Sequence, residues 1–156
     1  MIRFIPMPTQ LARAYQDGAA DAYGCAPERR EAAESGLPCR HCLRPIEAGT
    51  RYLTLAYRPF YGLHPYAETG PVFLHAEPCA PYDDGATLPP VLSSSPDYLV
   101  KAYGEDERIV YGTGRITASA DIADHADTLL QRPDIAFVDI RSARNNCLLC
   151  RVVRAE

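Results

Sequence analysis

Pro38-Cys39-Arg40-His41-Cys42-Leu43-Arg44-Pro45-Ile46-Glu47-Ala48-Gly49-Thr50 runs straight into Arg51-Tyr52-Leu53-Thr54-Leu55-Ala56-Tyr57. Leu53, Leu55 and Tyr57 alternate with Thr54 and Ala56, the period of two that marks a half-buried strand. Upstream, two cysteines stand with two residues between them; Pro45 could open a helix, but Gly49 and the lack of apolar periodicity offer none to follow. A thioredoxin-type pair opens a long helix inside a βαβ unit. Here the pair feeds a strand. Cys39 and Cys42 therefore read as a knuckle, a tight turn that aims two sulfurs at one point and can grip one ion.

Working outward, Pro59 ends the first strand, 61–70 is a polar loop, and Val72–His75 is a second strand. His75-Ala76-Glu77-Pro78-Cys79 lies at its end. Knuckle, hairpin, then histidine and cysteine is the ligand order of treble-clef zinc fingers. Residues 39–79 are thus a candidate zinc-binding segment closed by Cys39, Cys42, His75 and Cys79. A second closure stays open, because Cys147-Leu148-Leu149-Cys150 repeats the pair spacing. Cys39, Cys42, Cys147 and Cys150 would make a four-thiolate site across a long loop, at modest entropic cost. Five cysteines and one histidine cannot all bind one tetrahedral ion. Cys25 stands alone, and reads as an ordinary small residue, buried or half-buried.

The rest of the chain mixes short strands and helices. Ile2–Ile5 reads as a strand. Residues 10–16 read as a helix with Leu11, Ala14 and Tyr15 on one face, stopped by Asp17-Gly18. From Asp21 to Pro38 no period holds, so that span reads as loop with a turn of helix near Glu28–Glu34. Tyr82–Pro96 is connector with a short helix at 90–94. Tyr98–Tyr103 and 108–113 read as a hairpin around Gly104-Glu105-Asp106-Glu107. Residues 121–132 form the clearest helix, with Ile122, His125, Ala126, Leu129 and Leu130 on one face and Asp121 with Asp124 resembling a capping box. Residues 135–140 and 148–153 are the last strands. Without regular βαβ alternation, the expectation is an α+β fold: one domain over 1–156, an antiparallel sheet, two or three helices and the treble-clef-like knuckle. The expected core is Leu53, Leu55, Val72, Leu99, Ile109, Val110, Ile122, Leu129, Leu130, Phe137 and Val138.

With 156 residues and 47% hydrophobic composition, the chain can bury a real core and suits one domain. Pro6 and Pro8 interrupt the early apolar run, and no stretch approaches the ~18 apolar residues of a membrane span. A cytoplasmic, membrane-free protein is expected. In that compartment six cysteines argue for metal or redox chemistry over a disulfide framework. The charge is uneven. Residues 39–61 and 141–156 each carry +3 against a total of −4. Arg40, Arg44, Arg51, Arg58, Arg144 and Arg151, with Tyr52, Tyr57 and Tyr61, offer a face for an anionic ligand or single-stranded nucleic acid. No catalytic constellation stands out. Ser93-Ser94-Ser95 has no nucleophile-elbow context, and Gly112-Thr113-Gly114 lacks the third glycine of a dinucleotide fingerprint. The enzymatic alternative is a thiol enzyme in which Cys147 and Cys150 cycle as a dithiol, or Cys39 is a nucleophile activated by His41.

Two resemblances follow from motifs. Cys39-x2-Cys42-x2-Pro45-Ile46-x2-Gly49 and Phe73-Leu74-His75 are similar to zinc fingers of the poly(ADP-ribose) polymerase type. Those close with His-x2-Cys, where this chain has His75-x3-Cys79. Across nearly the whole chain, a wider set resembles the bacterial domain of unknown function 1203 (DUF1203) family. The set comprises Pro38-Cys39-Arg40-His41-Cys42-Leu43, Leu55-Ala56-Tyr57-Arg58-Pro59-Phe60, Pro65-Tyr66-Ala67-Glu68-Thr69-Gly70-Pro71, Phe73-Leu74-His75, Tyr111-Gly112-Thr113-Gly114 and Asn145-Asn146-Cys147, with Pro27-Glu28-Arg29-Arg30. The resemblance implies a small one-domain bacterial protein with no assigned activity, and no catalytic residue to carry over.

Overall fold

A computed structural model describes residues 1–156. In chain order the elements are β1 (Ile2–Ile5), α1 (Thr9–Gln16), β2 (Glu28–Glu31), β3 (Leu37–Pro38), β4 (Pro45–Ile46), β5 (Arg51–Tyr57), β6 (Gly70–His75), β7 (Asp97–Tyr103), β8 (Arg115–Ala118), α2 (Ile122–Leu130), β9 (Phe137–Ser142) and β10 (Leu148–Arg154). Short 3-10 turns lie at Pro90–Ser93 and Ser119–Asp121. All ladders between these strands are antiparallel, so the fold is α+β with antiparallel sheets and two α-helices. No helix is long and apolar enough to cross a membrane. The chain divides into two compact units, Pro6–Tyr82 and a second made of Met1–Ile5 with Asp83–Glu156.

In the unit Pro6–Tyr82, β5 is the central strand of a three-stranded sheet ordered β2-β5-β6. Its alternation works as read. Leu53 pairs with Leu74 and Leu55 with Val72, and all four are buried. The expected loop and helical turn at Glu28–Glu34 are corrected, because Glu28–Glu31 is an edge strand paired with Thr54–Arg51. All four of its side chains are exposed. Such a strand is held by its main-chain ladder and by the Arg29 guanidinium, which donates to Gln16 O; it leaves no apolar pattern, while its charges protect the edge. Helix α1 forms where expected, and Gly18, with φ +96°, ends it by donating to Tyr15 O at 3.0 Å. Its inward face differs: Ala12, Tyr15 and Gln16 are buried and Leu11 is exposed.

The other unit carries a five-stranded sheet ordered β1-β10-β9-β7-β8, with α2 against it. Ile122, Ala126, Leu129 and Leu130 face the sheet as the helical period requires. His125 is half-buried, with Nδ1 2.9 Å from Thr117 Oγ1. Asp121 makes no side-chain cap bond, so the expected capping box is absent. In β7 the phase is one residue off the expectation. Tyr98, Val100 and Ala102 are buried, while Leu99, Ile109 and Val110 are only half-buried. The turn at Gly104–Glu107 forms, but 108–113 is not its partner strand. After one bridge, Tyr103 to Ile109, the chain leaves the ladder. Thr113 Oγ1 accepts from Ala102 N at 3.2 Å and donates to Val110 O at 2.6 Å. A side chain thus takes a ladder position, Gly112 turns the chain at φ +88°, and pairing resumes with Arg115 opposite Val100.

Candidate metal centre

The knuckle is built from backbone bonds. β3 and β4 pair Leu37 with Ile46 and Pro38 with Pro45. Between them Cys39 N donates to Arg44 O at 3.1 Å and Leu43 N to Cys39 O at 3.0 Å. Closing so tight a turn puts Leu43 at φ +51°, a left-handed conformation unfavourable for a branched residue. Its side chain is fully buried, which offsets that cost. The knuckle is then joined to β6. Cys39 bridges Phe73 in parallel, Arg40 N donates to Phe73 O at 3.1 Å, and the Arg40 guanidinium lies over the Phe73 ring. Two residues later β6 ends at His75, where Ala76 N donates to Arg51 O at 3.1 Å. This register delivers the knuckle sulfurs to the histidine.

The ligand atoms of Cys39, Cys42, His75 and Cys79 all lie within 4.8 Å of one another. Cys39 Sγ and Cys79 Sγ are 3.9 Å apart, and Cys42 Sγ is 3.5 Å from His75 Nδ1. A tetrahedral zinc ion with its usual bond lengths would set these edges at about 3.8 Å for two sulfurs and about 3.6 Å for sulfur and nitrogen. The sulfur pair is far from the ~2.05 Å of a disulfide, and none of the six cysteines is disulfide-bonded; Cys25, expected to be buried or half-buried, is exposed. Cys39 and Cys42 are buried, while His75 and Cys79 are half-buried. Residues 76–89 contain no helix, so Cys79 is carried on a loop.

Helix α1 braces that loop. Arg13 donates to Cys79 O at 2.7 Å and to Gln16 Oε1 at 3.0 Å. Gln16 Nε2 donates to His75 O at 3.0 Å and to Glu77 O at 3.1 Å. His41, fully buried, stands between Thr9 and the site: Nε2 is 2.8 Å from Thr9 Oγ1 and Nδ1 is 3.2 Å from Cys79 Sγ. Thr9, Arg13 and Gln16 have no place among the residues expected from sequence. Polar residues on a short helix carry no pattern that distinguishes a brace from a solvated face.

Protonation in the metal-free cluster is uneven. Hydrogen bonds with Cys42 and Cys79 hold the Cys39 thiol far below its usual range. Hydrogen bonding to Cys39 and Cys42 raises His75 to about 10. The same two sulfurs push Cys79 up. Burial, with the Arg13 cation second, keeps His41 below its usual value. The sulfurs thus favour a thiolate within the cluster and a protonated His75 beside it, and a dication would displace such protons.

The other expected residues fall elsewhere. Cys147 and Cys150 are not in the cluster; they belong to the unit Asp83–Glu156. Cys147 is half-buried, with its sulfur 3.7 Å from Asn145 O, and Cys150 is buried in β10. Cys147 precedes β10, and the ladder to β9 is irregular between Leu148 and Cys150. Of the arginines, Arg40 is 3% exposed and donates to Pro38 O at 2.7 Å. Arg44 and Arg51 are exposed and Arg58 is half-buried. Arg144 pairs with Asp97 at 2.8 Å. Arg151 pairs with buried Asp139 at 2.7 Å and lies 3.6 Å over the Phe137 ring.

Comparison with curated proteins and with solved structures found no match. The sequence model of one family, described as protein of unknown function (DUF1203), matches residues 36–154. That span holds all four clustered residues and most of the chain, and the protein belongs to this family.

Proposed function

We propose that Cys39, Cys42, His75 and Cys79 bind one zinc ion in a tetrahedral site of three sulfurs and one nitrogen, and that the ion's role is structural. The observation that carries this reading is the set of separations among the four side chains. The 3.9 Å and 3.5 Å edges fit one ion bonded to all four, and fit no disulfide. Four protein ligands leave no position for water or substrate, which separates this site from catalytic zinc. The ion would tie the knuckle to the end of β6 and to the loop behind it. The ligand order of knuckle, hairpin, histidine and cysteine follows the treble clef, with a loop where that fold has a helix. Burial of Cys39 to 0% exposure also disfavours the nucleophilic-cysteine alternative, because no substrate reaches its sulfur. The test is metal analysis of protein purified without a histidine tag, beside Cys39→Ser. About one equivalent of zinc in the native chain and a large loss in the variant are expected. Less than about a tenth of an equivalent in the native chain would overturn the reading.

A further inference from the structure

Three ligands of the cluster are held by ordered main chain. Cys39 and Cys42 sit in the knuckle, and His75 ends a paired strand. The Cys39 sulfur also accepts the backbone N–H of His75 at 3.4 Å. Cys79 lies in no paired strand or knuckle, and its main chain is held by the Arg13 side chain. It follows Pro78 in a loop and is half-buried. A group aimed at its sulfur does exist, because the His41 ring is fully buried with Nδ1 3.2 Å from Cys79 Sγ and Nε2 2.8 Å from Thr9 Oγ1.

We propose that His41 is a positioning residue of the metal centre, whose Nδ1–H donates to the Cys79 thiolate while Thr9 holds the ring from behind. The proposal rests on the metal reading above. A metal-bound sulfur carries no proton and can only accept, so Nδ1 is the donor. A buried ring with a single proton then presents Nε2 as acceptor to the Thr9 hydroxyl. Both nitrogens are satisfied, and the tautomer is set by the two partners together. The bond is charge-assisted. It fixes the direction of the Cys79 sulfur and draws off part of the negative charge that three thiolates place around a dication. Arg13, on Cys79 O at 2.7 Å, holds the same residue by its backbone.

The test uses the full chain and cobalt(II) as the spectroscopic probe, with zinc affinity measured by competition. The variants are His41→Phe, which removes the donor, and His41→Asn, whose side-chain N–H stands where Nδ1–H stood. Thr9→Val removes the partner behind the ring. His41→Phe is expected to bind metal about 10–100-fold more weakly, with the thiolate-to-cobalt charge-transfer band moved to lower energy. His41→Asn is expected to restore most of both. Thr9→Val is expected to weaken binding about 3–10-fold; it carries the test should the larger buried substitution unfold the chain. Affinity and band unchanged in His41→Phe, or in Thr9→Val in that event, would overturn the proposal and leave the metal reading standing. Asn performing no better than Phe would also overturn it. A native chain that takes up neither cobalt nor zinc overturns both readings.

Discussion

Gln16→Ala removes the brace that α1 places on the candidate metal loop. The side chain makes three hydrogen bonds, two donated to His75 O and Glu77 O and one accepted from Arg13. Each is worth about 1 kcal/mol net, and a buried carbonyl left without a partner costs more. Alanine returns only a few tenths of a kcal/mol in helix propensity. The expected loss is about 2–4 kcal/mol. With a urea m value of about 2 kcal/mol/M, this moves the unfolding midpoint of the zinc-loaded protein down by about 1–2 M. Gln16→Glu is the companion variant. It keeps the volume but faces two carbonyl oxygens with an acceptor, so it loses the same two donated bonds without a cavity. Similar losses in both variants assign the effect to hydrogen bonding. A change below about 0.5 kcal/mol in both would mean that water replaces these bonds and that α1 does not position the loop.

Metal affinity should rise with pH, because His75, raised to about 10, and Cys79, also raised, must each lose a proton to bind. At least two protons displaced per ion correspond to apparent binding stronger by about a hundredfold or more per pH unit below neutrality, and a flat zinc titration between pH 6 and 7 would contradict this. Asp139→Asn leaves Arg151, and the buried Arg141 at 3.9 Å, without their shared buried carboxylate, at a cost of about 3 kcal/mol by urea unfolding. If 1–156 is one domain, that loss shows in a single transition, whereas two transitions with only one displaced would contradict the one-domain reading. The half-buried Cys147 should alkylate independently of chelator, the buried Cys150 should resist in the folded chain, and the two should form no disulfide with each other under a mild oxidant; recovery of a 147–150 disulfide by mass spectrometry would revive the redox alternative. Any salt-sensitive binding of a single-stranded oligonucleotide should depend on Arg44 and Arg51, the exposed members of the basic stretch. Binding unchanged in the Arg44→Ala, Arg51→Ala double variant would end the anion-face reading.

β5 was legible because Leu53 and Leu55 alternate with polar or small residues and face one side. β2 was not, because Glu28-Arg29-Arg30-Glu31 is a charged edge strand with no buried side chain to set a period, its Arg29 reaching Gln16 O. The β7 phase was ambiguous by composition: Tyr98, Leu99 and Val100 are consecutive apolar residues, and either alternation fits them. The strand at 108–113 failed for a local reason, the Thr113 hydroxyl standing in for a ladder partner. At the site, Cys39 and Cys42 were legible because both lie in one tight turn. Which residues stand near them depends on the Arg40–Phe73 register, a long-range fact that spacing alone left open between two closures. His41 is legible from sequence as a neighbour of thiols, but its link to Cys79 through a turn and a loop exists only in three dimensions.

The most direct test of the central claim is zinc K-edge X-ray absorption on the zinc-loaded protein, which counts and measures the ligands at once. Three sulfurs at about 2.3 Å and one nitrogen at about 2.0–2.1 Å are what Cys39, Cys42, His75 and Cys79 require. A four-sulfur shell would point to closure by Cys147 and Cys150, and a shell of nitrogen and oxygen alone would place the ion somewhere other than this cluster.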